Sequence, residues 1–238
     1  MNRGRRGFLV RTGGFGLLGA GGVLVGTAAV AAEKGGAKKK GGGDEDVAPP
    51  EDLMREHGVL NRILLIYEEG IRRVEAKQPF PSETVAAAAD IIRRFIEQYH
   101  EKLEEDHLFP RFEKANKLVD LVATLRRQHQ AGRKLTDGIL KLTAPAGAPV
   151  PGNQQKLLEA MRAFIRMYRP HEAREDTVLF PALRSIVPPK EFSELGEQFE
   201  DKEHQLFGKE GFEGVVVQVG KLEQTLGIYD LDQFTPRG

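Results

Sequence analysis

One spacing, used twice, constrains this chain more than any other feature. His100 and Glu104 stand four residues apart and run on into Leu-Phe-Pro at 108–110. His171 and Glu175 repeat the spacing and run into Leu-Phe-Pro at 179–181, an offset of 71 residues. A lone histidine precedes each pair, His57 and His129, 72 residues apart. The order His, then His-x-x-x-Glu, therefore occurs twice, as an internal duplication of a helix pair would produce. On an α-helix, residues four apart differ in direction by only about 40°, so each histidine shares a face with its glutamate. That face is apolar: Ala89, Ile96 and Leu103 flank His100, and Phe164, Met167 and Val178 flank His171. Glu105 and Asp106 point well away, and Asp176 lies about 140° round the projection.

A carboxylate on a buried face costs several kcal/mol unless it is paired or binds a metal. No lysine or arginine recurs on these faces as a partner. The economical reading is a metal site built from His57, His100, Glu104, His129, His171 and Glu175. A lone histidine on an apolar face is more often a hydrogen-bonded core residue, and a lone His-x-x-x-Glu is weak. Four histidines and two glutamates in a duplicated order are a much stronger signal. His107 shares the face of His100, but its counterpart in the other copy is Val178, which argues for a supporting or core role. His204 could close the open end of the bundle, and Tyr168 could face the metals or simply fill the core.

The chain contains no cysteine, which excludes disulfides, thiolate nucleophiles, iron–sulfur clusters and cysteine-type zinc sites together. Imidazole with carboxylate suits iron, manganese or zinc. Six donors shared by two ions leave open positions, where a closed structural zinc site wants four ligands and no vacancy. Iron comes first, with manganese and zinc behind it. The formal charge is zero, with 35 basic and 35 acidic residues, but residues 1–40 hold eight Lys/Arg and one Glu. The remainder is thus mildly acidic and offers no basic stripe for a nucleic-acid backbone.

Residues 1–32 read as an export segment: Arg5-Arg6-Gly7-Phe8-Leu9 resembles a twin-arginine signal, and Ala29-Val30-Ala31 suits cleavage. An exported, periplasmic or extracytoplasmic protein with no integral span in its mature form is expected, membrane-tethered if the segment stays uncleaved. Residues 33–50, rich in glycine and lysine and ending at Pro49-Pro50, read as a flexible linker. Four long stretches of helical period follow, at about 51–76, 83–108, 115–142 and 153–183. Pro79-Phe80-Pro81 ends the first, Ser82 caps the second, Phe109-Pro110 closes it, and the Ala144-Pro145-Ala146-Gly147 loop follows the third. Pro170 should kink the fourth. Short connections between long amphipathic helices favour an all-α, up-down-up-down four-helix bundle over 51–185. A further helix from Pro189 to about Phe207 and a shorter one beyond Gly211 make up a C-terminal extension, 186–238.

The duplicated order, with Leu-Phe-Pro after each glutamate, resembles the hemerythrin-like (HHE, cation-binding) domain over about residues 51–185. The resemblance implies a non-haem di-iron centre in an antiparallel four-helix bundle, with imidazoles as terminal ligands and carboxylates bridging. It also implies a small partner such as a diatomic ligand or peroxide. Oxygen-carrying members have a second histidine on the third helix, four residues beyond the first; here that position is Arg133. The expected function is binding of oxygen or a related small molecule, for carriage, sensing or scavenging. A peroxidase-like or ferroxidase enzyme, or an iron store, is the alternative.

Overall fold

The computed structural model describes residues 48–143 and 151–236, so the expected export segment, most of the linker and the 144–147 loop lie outside the described residues. The described residues form helices and turns, with no strand among them. Helix α1 is Pro49–Glu75. Helix α2 covers 82–114 and α3 is Val119–Thr143. Helix α4 covers 151–183, α5 is Pro189–Phe207 and α6 is Gly211–Leu226, before a final 3-10 turn at Leu231–Phe234. Helix α1 packs on α2 and α4, and α3 packs on α2 and α4, closing a ring of four. Their apolar stripes meet inside: Leu53, Leu60, Leu64, Ile96, Leu103, Leu125, Ile139 and Phe164 are all buried. Helices α5 and α6 lie against α1 and α2, so the C-terminal segment packs on this ring.

Several boundaries differ from the sequence expectation for physical reasons. Pro49 and Pro50 are not linker but the buried first turn of α1, where a missing N–H is harmless. Ser82 opens α2 without capping it; its Oγ reaches the Thr143 carbonyl at 3.4 Å instead. Phe109-Pro110 does not end α2, which continues to Lys114 and stops in a turn where Asn116 and Leu118 take positive φ. Helix α4 runs on through Pro170.

The duplicated Leu-Phe-Pro explains itself in the backbone. Proline has no N–H to give the carbonyl four residues back, so one α-type bond is missing at each of these positions. A π turn precedes each: Glu104–Leu108 and Glu175–Leu179 are π-helical, closed by Phe109 N–H to Glu104 O and by Phe180 N–H to Glu175 O. A further π segment, Ile92–His100, precedes the first pair. Such turns occur chiefly as local insertions at functional sites, because the extra residue re-aims the side chains on either side. Here the two that run into Leu-Phe-Pro each begin at a glutamate of the duplicated motif, and the third ends at His100.

Candidate metal centre

The six sequence-predicted residues come together in the ring's interior, one histidine from each helix, and none is more than 4% exposed. His57 and His100, from α1 and α2, lie with ring centroids 4.7 Å apart. His129 and His171, from α3 and α4, lie 5.1 Å apart. The two carboxylates join these pairs. Glu175 Oε2 stands 3.4 Å from His57 Nε2 and 3.1 Å from His171 Nε2. Glu104 Oε2 stands 3.4 Å from His129 Nε2 and 3.8 Å from His100 Nε2. Each carboxylate thus faces one imidazole of each pair.

The other ring nitrogens are all held from behind. His57 Nδ1 meets Asp176 at 2.7 Å, and His129 Nδ1 meets Glu105 at 3.1 Å. His100 Nδ1 meets Glu56 at 2.7 Å, and His171 Nδ1 meets Gln128 Oε1 at 2.9 Å. A hydrogen bond at Nδ1 fixes the tautomer and turns the lone pair of Nε2 inward, as metal-ligating histidines require. The motif phenylalanines complete the frame: Phe180 stacks on His57 and Phe109 on His129, both at 5.5 Å between centroids. Every one of these contacts has its counterpart in the other half, as the duplication requires.

Glu56, Glu105, Asp176 and Gln128 were missed by the helical-face argument, which assigned Glu105 and Asp176 outward directions. They do point out of their own helix's inner face, and they meet a histidine of the neighbouring helix. The signal for them lay in the repeat. An acid follows each motif glutamate (Glu104-Glu105, Glu175-Asp176), and a carboxylate or amide precedes each lone histidine (Glu56-His57, Gln128-His129).

The centre has more charge than its own groups can balance. His57 Nε2, His129 Nε2 and all four oxygens of Glu104 and Glu175 are buried without a hydrogen-bond partner among the described residues. Burial and the neighbouring Glu175 push the Glu104 carboxyl up to about 8, against the pull of His129 and His57. Burial pushes Glu175 the same way, but His171 and His57 prevail and hold it well below the usual carboxylate range. His57, despite burial, is held well above its ordinary value by Asp176 and Glu175. His129, also despite burial, is raised by Glu101, Glu104 and Glu105. Burial, then the adjacent His57 charge, drives His100 well below. Protons occupy this set where cations would satisfy it, so the donors fit a metal: neutral imidazoles with inward Nε2 and carboxylates whose oxygens have no other use. His129, His171 and Glu175 each bring a ligand atom within 4.8 Å of the others, and so do Glu101, Glu105 and His129.

Arg133, at the position of the carriers' extra histidine, turns away from the imidazoles. Its Nη2 lies 2.7 Å from Glu105 Oε1 and 2.7 Å from Glu101 Oε2. The Tyr168 hydroxyl donates to Glu101 Oε1 at 2.7 Å, its ring 5.4 Å from His171. The counterpart of Glu101 is Glu172, which accepts from Asn61 and is pushed up to about 8, chiefly by burial. His107 packs edge-on against Phe199 outside the set, with its pKa lowered by burial and Arg111. His204 is exposed on α5 and lines a cleft with His107, and does not complete the centre. Its buried neighbour Glu203 is the residue that turns inward.

An all-helical fold with clustered, buried imidazoles and carboxylates able to hold metal defines a histidine–carboxylate metal-binding protein. The hemerythrin HHE cation-binding domain matches residues 48–183, and the chain belongs to that family. Proteins of two Mycobacterium tuberculosis strains and of Mycobacterium bovis, described as uncharacterized, are 55% identical over 190 residues, covering 80% of this chain and 74% of theirs. No solved structure matches the chain significantly.

Proposed function

We propose that this chain is a non-haem di-iron protein that binds oxygen or a related small molecule, for carriage, sensing or scavenging. The observation that carries the reading is the convergence of four Nε2 atoms on two buried carboxylates, each between two imidazoles of different pairs. His57 and His100 would hold one ion and His129 and His171 the other, with Glu104 and Glu175 shared, inside an up-down-up-down four-helix bundle. Iron supplies open positions at which a small ligand binds. The residues of the chain orient the imidazoles, exclude bulk water and balance the charge. Export through the twin-arginine segment fits a cofactor loaded before transport.

Metal-free protein loaded anaerobically with Fe(II) should take up two equivalents. On admitting air it should develop charge-transfer absorption in the near-ultraviolet and visible. A chain that loads no iron, or a His100→Ala variant that loads it as well as the parent, would sink the reading.

A second reading has one observation in its favour. Arg133 is committed to Glu101 and Glu105, so the six-donor set has no seventh ligand at the carriers' position. An additional open position suits consumption of oxygen or peroxide by a redox enzyme. Stopped-flow mixing separates the two: a stable adduct reversed by removing oxygen supports binding, and rapid irreversible turnover supports catalysis.

A further inference from the structure

At the donors themselves the second position is the more compact, with Nε2 atoms 3.1 and 3.4 Å from Glu175 and Glu104 against 3.4 and 3.8 Å at the first, and with His129, His171 and Glu175 gathered within 4.8 Å. The groups behind the rings rank the two positions the other way. Behind the first pair both Nδ1 atoms meet carboxylates at 2.7 Å, Asp176 for His57 and Glu56 for His100. Glu56 is moreover one of three carboxylates, with Asp52 and Glu203, whose oxygens lie within 4.8 Å of one another. Asp52 is partly offset by Arg55 at 3.5 Å. Glu203 comes from α5, outside the residues matched by the family.

Behind the second pair the supports are weaker. The counterpart of Glu56 is Gln128, a neutral amide, 2.9 Å from His171 Nδ1. The counterpart of Asp176 is Glu105, which stands further off, 3.1 Å from His129 Nδ1. The same Glu105 Oε1 also takes Arg133 at 2.7 Å, and its Oε2 takes Lys102 at 2.7 Å. An oxygen shared with a guanidinium has less negative charge to give an imidazole N–H. A carboxylate behind a histidine makes it a more basic ligand than an amide does, and loss of such a support costs about 10–100-fold in metal affinity.

We infer that the two metal positions are unequal: the His57/His100 position binds first and tightly, and the His129/His171 position second and more weakly, with Gln128 as the determining residue. This rests on the proposed two-metal reading. The physical ground is what each ring nitrogen meets: in the first pair both Nδ1 atoms meet a carboxylate, while in the second one meets a neutral amide and the other Glu105, which Arg133 and Lys102 share, with the nearby Glu101 also held by Arg133. A centre built this way can lose or exchange one ion while retaining the other.

The test uses metal alone on the full chain. Anaerobic calorimetry of the metal-free protein with Fe(II) should resolve two events differing about tenfold or more in affinity. Imidazole nitrogen resonances, followed with Zn(II) as a diamagnetic probe, should shift at His57 and His100 over the first equivalent. Those of His129 and His171 should follow over the second. Gln128→Glu should raise the affinity of the second event and narrow the gap, and Glu56→Gln should weaken the first. Two equal events, simultaneous shifts of all four imidazoles, or a Gln128→Glu variant with an unchanged gap would overturn the inference while leaving a two-metal centre intact. Uptake of fewer than two equivalents would overturn the two-metal reading itself. Circular dichroism of both variants separates misfolding from altered binding, and Glu56→Gln supplies the opposite-signed change if Gln128→Glu does not fold.

Discussion

At the scale of single residues, the centre is defined as much by what holds the histidines as by the histidines themselves. Asp176 is one-third exposed and lies off the inner face of α4, yet it sets the ring of His57. Asp176→Ala should therefore lower metal affinity about 10–100-fold, measured by competition with a chelator. Asp106→Ala, which removes an exposed acid next to Glu105, should leave it unchanged. Equal loss in both would show that general negative charge, not the hydrogen bond at Nδ1, is what matters. The acids immediately after Glu104 and Glu175 were visible in the repeat, but a helical projection assigns them to solvent. It describes one helix, and their partner stands on the next.

At the scale of elements, α3 and α4 approach closely because Gly132 leaves room. A Cβ there would lie 2.0 Å from the Tyr168 hydroxyl, the group that donates to Glu101. Alanine in a helix is usually better than glycine by about 0.5–1 kcal/mol. At Gly132 overpacking wins, and Gly132→Ala should cost about 1–3 kcal/mol in thermal or denaturant unfolding. Gly138, on the same helix with nothing within 4 Å of its Cβ position, makes the contrast. Gly138→Ala should stabilise by about 0.5–1 kcal/mol. The same sign in both would mean that the close approach of Tyr168 does not decide the matter. The π turns belong to this scale too. Pro110 looked like a helix end, because a proline lacks the N–H that an interior helical position donates. Packing of Phe109 and Phe180 onto the histidines carries each helix past its proline.

At the scale of the whole molecule, stability and metal binding are coupled through protons. Glu104 and Glu172 hold protons up to about 8, where the unfolded chain releases them near 4.5. His57 and His129 hold theirs well above the ordinary 6.5. All four bind protons more tightly folded than unfolded, so their contribution is lost as pH rises through the folded values. The groups shifted downward work the other way: His100 adds stability as pH rises towards 6.5, and Glu105 and Glu175 add it above their depressed values. Above 6.5 these contributions are already in place. The metal-free chain should therefore lose melting temperature between about pH 6.5 and 8, and the iron-loaded chain should lose much less, because cations replace the protons. A metal-free melting temperature that is flat or rising over that window would contradict this account of the centre.

No helix among the described residues is long and apolar enough to cross a membrane. The helical period and the duplicated His, His-x-x-x-Glu order were sufficient to point to the helices of the described residues and to the six side chains that the structure brings together. Those are properties of one face of one helix at a time, and a single strand of sequence records them fully. Which nitrogen faces inward, which acid stands behind each ring, and where Arg133 turns depend on the packing of four helices against one another. Sequence spacing carries no such information across helices. The tertiary structure alone placed Gln128 behind His171 where its counterpart, Glu56, stands behind His100, and so gave the two histidine pairs different supports.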